Sequence, residues 1–354
     1  MWSFFNQQWW KWACAFLLIY VVVAGLVVPL GPGITSVHPF VFQADSVYEF
    51  RIRGYRTHFS EKNHTQVWFK ASHDIFCALD VKIIHDGLIQ ARFGINRNRI
   101  NPAADNVFDV IINNDEDGTI ALREAITLLR TVANRQDSAL VNQNTCEPEV
   151  RTNKASAFVF PHREILYESI RNTFYHVPMW FTMLGLIILS AVFSISFLQS
   201  GDLKQDILAA SFAEVALFFG LMGILTGMVW ANYTWGAPWP NDPKLNGAAV
   251  GVLIYVAYII LRGSVNDDIK RARLSAVYSV FASVIFILFI FIIPRLPDTD
   301  SLHPGIGGNP AFSKYDLDSR LRLVFYPAVI GWMLLGVWLS SIVARIAAIK
   351  SEKY

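Results

Sequence analysis

The chain has 354 residues, of which 53% are hydrophobic and only 16% are charged, and its mean hydropathy is +0.36. A soluble domain carries about a quarter charged residues, so this composition excludes an ordinary soluble protein and indicates membrane lipid as a partner. The formal net charge of +2 gives no bulk attraction for nucleic acid, and no nucleic-acid partner is predicted.

Six apolar segments come close to the roughly 20 residues that cross a bilayer core. They cover residues 12–30, 177–198, 207–233, 245–261, 274–293 and 323–344. The first segment is uncharged and lacks a small-residue cleavage motif, so we interpret it as a retained helix and not as a secretory signal. The predicted fold class is a membrane all-α bundle of six transmembrane helices with one inserted domain.

Three parts follow along the chain: a first helix over 1–30, an inserted domain over 31–174 and a five-helix membrane domain over 175–354. Orientation follows from Lys and Arg in the short connections, because cytoplasmic loops carry the excess. With the N-terminus inside, nine such residues lie inside and five outside. This predicts a multi-pass membrane protein with both termini on the cytoplasmic side and the inserted domain, residues 31–174, outside.

The inserted domain is predicted to be mixed α+β and mainly made of strands. Tyr48, Phe50 and Ile52 alternate with charged residues, which is the period-two pattern of a half-buried strand. Asp86-Gly87 separates two similar runs, as the turn of a β-hairpin does. Residues 107–112 form another apolar run of the strand type.

One helix is predicted in this domain, over residues 120–133, with Thr119 as its N-cap. Leu122, Ile126 and Leu129 would lie on one face of this helix. Cys77 and Cys146 would stabilise the modest core by a disulfide if the domain faces an oxidising compartment. Cys14 lies apart from them in the first apolar segment.

Three features on the predicted outer face are candidates for chemistry. His176 stands where the second helix begins, residues 235–242 form the loop WGAPWPND, and His303 lies between the fifth and sixth helices. Neutral imidazole is a good axial ligand for haem iron, and flat tryptophan rings suit the face of a porphyrin. Lys244, Arg295 and Arg171 are weaker candidates for the cations that would pair with the haem propionates.

Each feature also has an ordinary structural interpretation. A single histidine at a bilayer boundary has many roles, and tryptophan is enriched at membrane interfaces in any case. The prolines and Gly236 of the loop can simply make it rigid. The combination of both histidines and the loop on one face is what favours haem.

The motifs resemble the CcmC-type (heme exporter C) family of cytochrome c maturation, a group of haem-handling proteins. The tryptophan-rich loop 235–242, followed by Lys244 and Leu245, is similar to the family's central motif. YHVP at 175–178 and SLH at 301–303 are similar to its two histidine motifs, and six helices in this order agree. The resemblance covers roughly residues 1–30 and 170–350.

The resemblance implies a bacterial inner membrane, with residues 31–174 in the periplasm, and haem b that is bound at the outer face and passed to a periplasmic haem chaperone. His176 and His303 would be the axial ligands of the haem iron, and Trp235, Gly236, Trp239 and Asp242 would belong to the haem-binding loop. An ABC transporter complex and a small membrane subunit are the further partners that it implies. The chain would then be a haem-transfer protein without a catalytic residue, although enzymatic activity stays open.

The chain departs from the family's pattern at two loop positions. Pro238 and Asn241 stand where tryptophan is usual, so the aromatic platform is thinner. The long inserted domain has no counterpart in the family. It either docks the haem acceptor or is an insertion without a role in transfer, since outer loops tolerate insertions.

Two other functions stay open. One is direct attachment of haem to an apocytochrome, as in the cytochrome c synthases of the same superfamily. The other is a membrane-anchored sensor or adaptor that binds no haem. Glu214, the only ionisable residue in the predicted spans, is either a structural residue bonded to a neighbouring helix or part of a haem-entry route.

Overall fold

The fold is described by a computed structural model of the chain. The structure describes residues 7–44, 46–71, 74–95, 106–129, 158–163, 166–296, 301–303 and 318–351. The described chain divides into two compact units, a helical unit of Met1–Val28 with Glu168–Tyr354 and a strand-rich unit of Pro29–Tyr167.

Within the described residues, six helices are long and apolar enough to cross a membrane, which confirms the predicted number. The helices are α1 Trp9–Val27, α2 His176–Ser200, α3 Leu203–Trp235, α4 Pro243–Gly263, α5 Asp268–Ile287 and α6 Ser319–Ser351. A 3-10 helix, Tyr167–Phe174, precedes α2, and a π turn, Leu288–Ile292, with a 3-10 turn, Ile293–Arg295, extends α5. Most of these helices extend beyond the predicted apolar segments because polar caps and charged end turns add residues to them.

Aspartates mark three of the helix starts. Asp202, Asp242 and Asp267 accept hydrogen bonds from backbone N–H groups in the first turns of α3, α4 and α5. Such caps satisfy donors that have no partner inside the helix. Gly236 ends α3 in the left-handed region with a φ of 77°, where glycine carries no steric penalty. The tryptophan-rich loop therefore begins at a glycine that ends α3 and closes on an aspartate that caps α4.

Helix α2 is central in the helical unit, where it packs against α3, α5 and α6, while α1 packs against α6. The α2–α3 contact is close because glycines on α3 face large side chains on α2. A Cβ at Gly220 would lie 2.6 Å from Met183 Sδ, and one at Gly223 would lie 2.9 Å from the Trp180 ring. This packing fixes how α2 is rotated against α3.

The strand-rich unit contains two sheets. Its strands are β1 Gly33–His38, β2 Val41–Gln43, β3 Val47–Tyr55, β4 Gln66–Ala71, β5 Asp74–Cys77, β6 Asp80–His85, β7 Leu88–Gly94, β8 Val107–Asn114 and β9 Gly118–Leu129. One sheet has the order β1-β3-β7-β6 and the other β2-β9-β8-β4-β5. Phe69 of the second sheet stacks on Phe93 of the first at 3.6 Å between ring centroids, so the two inner faces form one core.

The predicted strand around Tyr48–Ile52, the hairpin at Asp86-Gly87 and the strand over 107–112 are confirmed as β3, β6–β7 and β8. Cys14 is buried in α1. Cys77 is disulfide-bonded, and Cys146 lies outside the described residues, so the predicted pairing with it stays a prediction.

The helix predicted over 120–133 is wrong where the structure describes it, because residues 118–129 form β9. Ile120, Leu122 and Ile126 are buried, and their even spacing suits a strand as well as a helix. A register shift opposite Phe108 and Val110, with a positive φ at Glu124, lets Ile126 return to the buried face. Residues 130–133 lie outside the described residues.

Candidate functional site

Both histidines and the tryptophan-rich loop meet at one end of the helical unit. Four rings form a continuous series, His176, Trp230, Trp235 and His303, with centroid separations of 5.8, 6.3 and 5.1 Å along it. Two of these residues begin or end helices, since His176 is the first residue of α2 and Trp235 is the last of α3. The site is thus built where α2 starts and α3 ends.

His176 is buried, with 8% of its surface exposed. Its Nδ1 lies 3.1 Å from Thr226 Oγ1, and the Thr226 hydroxyl donates to the Met222 carbonyl at 2.8 Å. Since that hydroxyl has only one hydrogen, we assign the proton of this contact to His176 Nδ1, and Nε2 keeps its lone pair. A Cβ at Gly227 would lie 2.7 Å from His176 Cε1, so only glycine admits the ring here.

Trp230 links the two halves of the ring series. It is 8% exposed, and its Nε1 donates to Ser169 Oγ at 3.2 Å. A buried indole N–H usually needs such a partner, and the bond fixes the orientation of the ring. Trp235, one helical turn and one residue later, is half-buried and lies beside His303.

Asp242 organises the side of the site that contains His303. The carboxylate is 1% exposed and accepts five hydrogen bonds. Two come from the backbone N–H groups of Lys244 and Leu245 in the first turn of α4, at 2.9 and 3.1 Å. Ser301 Oγ and the Leu302 N–H each donate at 2.7 Å, and His303 Nδ1 lies 3.2 Å from Oδ1. The short described segment 301–303 is therefore bound to the start of α4.

The protonation states in this group follow from burial and hydrogen bonding. Burial and the nearby Lys244 lower the pKa of His303 to about 4, although the contact with Asp242 opposes the shift. Burial by itself raises the pKa of the Asp242 carboxyl, but the bonds from Ser301 and Leu302 outweigh it and the net pKa is lowered. At neutral pH, a neutral His303 thus donates from Nδ1 to an ionised Asp242.

The arrangement leaves one nitrogen of each histidine uncommitted. Across the residues that the structure describes, neither His176 Nε2 nor His303 Nε2 takes part in a hydrogen bond within 3.5 Å. Metal-binding histidines are typically held in this way, with Nδ1–H on an oxygen acceptor and Nε2 directed to the metal. The donor set and the flanking indoles therefore fit an iron porphyrin.

The other predicted site residues lie at the edge of this group. Gly236 supplies the turn that ends α3. Trp239 is 38% exposed, and its Nε1 donates to Asn246 Oδ1 at 3.3 Å, while Asn246 Nδ2 donates to Asn241 Oδ1. Trp239 thus folds back on the start of α4 and is separate from the ring series.

Among the cations suggested for propionates, Lys244 is placed best. It is half-buried and close enough to both histidines to act on them electrostatically. Arg171 has another role, since its Nη1 donates to the Gly25 and Val28 carbonyls at 2.6 and 2.7 Å and so caps the end of α1. The side chain of Arg295 lies outside what the structure describes.

The sequence did not identify Thr226, Trp230 and Ser301 as site residues. Trp230 stands in GMVWA, five residues before the loop tryptophan Trp235, and a tryptophan this close to the loop is the signal that would have found it. Thr226 and Ser301 had no such signal, because a hydroxyl residue is common in any membrane helix or loop.

Glu214 lies elsewhere on α3. Its side chain is exposed on the helix surface, in line with the exposed Phe218 and Leu221. The predicted bond to a neighbouring helix does not occur among the described residues, and Arg262 and Lys350 are the cations that act on it. Arg262 itself pairs with Asp206 at 2.5 Å and joins the start of α3 to the end of α4.

Comparison with known proteins matches this architecture to one family. Residues 163–297, which include α2 to α5, match the model of the cytochrome c assembly protein family. The chain is 26% identical over 120 residues to Heme exporter protein C of Paracoccus denitrificans, covering 34% of this chain and 50% of that protein. It is 42% identical over 67 residues to Cytochrome c biogenesis protein CcsA of Thermosynechococcus vestitus, covering 18% of this chain and 21% of that protein.

A third relative is Heme exporter protein C of Bradyrhizobium diazoefficiens, with 26% identity over 117 residues, 33% of this chain and 44% of that protein. The chain thus spans no more than half the length of these relatives. The matched region contains the start of α2, the end of α3 and the tryptophan-rich loop. The chain is a multi-pass membrane protein with a strand-rich domain between its first helix and the helical region, its residues 163–297 match the cytochrome c assembly protein family, and it is similar to the heme exporter C and CcsA relatives.

Proposed function

We propose that the protein binds haem b between His176 and His303 and transfers it to a periplasmic haem chaperone during cytochrome c maturation. The observation that carries the proposal is the ring series from His176 to His303, in which both histidines have Nδ1 bonded to oxygen and Nε2 uncommitted. The match of residues 163–297 to the cytochrome c assembly protein family supports it.

Each residue of the site has a part in this function. His176 and His303 would hold the iron from Nε2, and Trp230 and Trp235 would provide apolar ring surface for the macrocycle. Lys244 lies where it can neutralise a propionate, and Asp242 keeps His303 in place. When bound, haem would supply the iron and the vinyl groups through which it is later attached to a cytochrome c. The protein forms no covalent bond and so has no catalytic residue in this reaction.

The orientation belongs to the same proposal. The charge excess on the short connections favours cytoplasmic termini in a bacterial inner membrane. The site and the strand-rich unit then lie on the periplasmic side, where a chaperone can reach them. An ABC transporter complex and a small membrane subunit are further partners in this proposal, as the resemblance to the heme exporter C family implies.

The first test is an ultraviolet–visible spectrum of the detergent-purified protein. Wild type should show a Soret band after purification or after haem is added, and His176→Ala and His303→Ala should each weaken or shift it. His85→Ala is the matched control, because His85 is an exposed residue of β6 and should leave the band unchanged. A wild type without any Soret band would exclude haem binding and favour the sensor or adaptor function.

Attachment of haem to an apocytochrome is the second candidate function, and the similarity to a cytochrome c biogenesis protein of the CcsA type favours testing it. The two functions differ in product. Incubation of the loaded protein with apocytochrome c should yield no haem resistant to acid acetone if the protein only transfers haem. Covalent haem on the apocytochrome, without any added chaperone, would establish attachment.

The strand-rich unit has two hypotheses, docking of the haem acceptor or no role in transfer. Deletion of most of 40–160 separates them if the shortened protein is expressed and keeps its Soret band. Loss of transfer to the chaperone would support docking. Unchanged transfer would leave the unit without a role in this step.

A further inference from the structure

The two histidines have partners of different charge. His303 Nδ1 faces the carboxylate of Asp242, whereas His176 Nδ1 faces the neutral hydroxyl of Thr226. The separations are similar, at 3.2 and 3.1 Å, so the difference is one of chemistry and not of distance. Hydrogen bonds with an ionised partner are roughly twice as strong as neutral ones.

This difference changes the histidine as a ligand. An anionic acceptor draws the Nδ1 proton away from the ring, which raises electron density at Nε2 and strengthens its donation to a metal. A hydroxyl that already donates its own hydrogen, as Thr226 does to Met222, polarises the ring much less. His303 should therefore be the stronger donor of the pair.

The anchoring is also unequal. Three hydrogen bonds join the segment 301–303, which carries His303, to the Asp242 carboxylate, and two more join that carboxylate to the start of α4. The His176 ring has two neutral polar partners, the Thr226 hydroxyl and the Gly223 backbone, and is otherwise held by ring packing against Gly227, Trp180 and Trp230. Packing contacts fix the ring plane but do not raise its basicity.

We infer that Asp242 and Thr226 are unequal positioning residues, which make His303 the retained axial ligand and His176 the exchangeable one. The inference rests on the proposed binding of haem and goes further, because it gives the order in which the two histidines dissociate from the iron. A protein that hands haem to an acceptor must open one axial position first. The position on the His176 side is then the one that an incoming ligand can occupy.

The test uses the intact, haem-loaded protein and two variants, Thr226→Val and Asp242→Asn. Valine keeps the shape of threonine without the hydroxyl, and asparagine keeps the helix cap without the charge. Thr182→Val is the control for the first, since the Thr182 hydroxyl is buried in α2 without a hydrogen-bond partner. Asp202→Asn is the control for the second, since Asp202 caps α3 far from both histidines in the chain.

Two quantities are measured, the rate of carbon monoxide uptake by the reduced protein and the midpoint potential of the haem. Carbon monoxide binds only when an axial histidine leaves, so its rate reports the weaker ligand. Thr226→Val should speed uptake about tenfold, the lower end of the effect of removing such a partner. Asp242→Asn should raise the midpoint potential, because a negative charge that stabilises ferric iron is lost, and should leave the uptake rate close to wild type.

If either residue had only a structural role, its variant would lower thermal stability. It would not change the uptake rate in Thr226→Val alone and the midpoint potential in Asp242→Asn alone. Faster uptake in Asp242→Asn than in Thr226→Val, or equal effects in both, would overturn the inference while the Soret band upholds haem binding. A wild type without a Soret band would overturn the proposed function and the inference together. The two failures are thus distinguishable in one series of samples.

Discussion

At the scale of single residues, the site depends on side chains that serve fold and function together. Asp242 is both the N-cap of α4 and the acceptor for Ser301, Leu302 and His303. Its burial would be costly without these donors, because a buried charge needs polar partners. Removal of the carboxylate therefore has a structural cost that is separate from any effect on haem.

Asp242→Ala should lower the free energy of unfolding more than Asp202→Ala does. Both changes remove a helix cap, which costs about 1 kcal/mol. Asp242→Ala also leaves buried donors without an acceptor, at about 1–3 kcal/mol. Chemical denaturation of both variants in one detergent measures the difference. Equal destabilisation would show that the bonds to residues 301–303 contribute nothing to stability.

In the strand-rich unit, His58 leads us to expect that stability depends on pH. His58 Nδ1 lies 2.8 Å from Asp117 Oδ1, and this hydrogen bond raises the pKa of His58 although burial opposes it. A raised pKa in the folded state means that the contribution to stability is complete below pH 6.5, the ordinary value, and is lost as pH rises through the raised pKa.

Hydrogen exchange of peptides that cover 57–63 and 113–118 should therefore quicken above pH 6.5, after correction for intrinsic rates. His58→Gln should remove the dependence, whereas His64→Gln, at an exposed neighbour, should keep it. A dependence that persists in His58→Gln would assign it to another group.

At the scale of elements, the α2–α3 contact sets the position of His176. Residues 176, 180 and 183 lie on one face of α2, and glycines 227, 223 and 220 face them from α3 in the antiparallel order. Each glycine lets one large side chain approach the α3 backbone. The ring of His176 is thus placed by helix packing along two full turns, not only by its own hydrogen bond.

Gly227→Ala should disturb the site while the fold persists. The added Cβ would lie 2.7 Å from His176 Cε1, so the ring must move away from Thr226 and Trp230. Haem affinity should fall about 10- to 100-fold, as when a ligand's support is lost. Gly263→Ala is the control, since a Cβ there meets nothing within 4 Å. Haem titration of both variants decides, and equal affinities would exclude a positioning role for Gly227.

At the scale of the whole molecule, alternation of six spans brings the site elements to one end. The start of α2, the α3–α4 loop and the segment after α5 must share a side if every helix crosses the membrane, and the ring series shows that they meet. The opposite end carries the Asp206–Arg262 pair. The side on which each end lies is a prediction from charge.

Alkaline phosphatase fused after Leu296 should be active, and fused after Ser351 it should be inactive, because the enzyme folds only in the periplasm. The positive-inside rule gives this direction. A fusion within the strand-rich unit, after Gln43, should be active like the first. The reverse pattern, with protein levels matched by immunoblot, would invert the orientation and place the site on the cytoplasmic side.

The sequence by itself determined the membrane class, the six helices, the strand-rich insertion and the residues His176, Trp235, Asp242 and His303 as one candidate group. These follow from hydropathy, alternation and short motifs, which are local properties. The same local reasoning failed at 120–129, because apolar residues four apart suit both a helix face and a strand with a bulge. Only the pairing of these residues with β8 in the sheet decides between a helix and a strand.

Only the tertiary structure decided how the group is built. Thr226 lies 50 residues from His176, and Asp242 lies 61 from His303, so no local pattern links them. Trp230 joins the two halves because α2 packs closely on the glycines of α3. Trp239, which the motif suggested, lies away from them and bonds to Asn246. Partner choice depends on distances across the fold, which a sequence specifies only through the packing of the whole bundle.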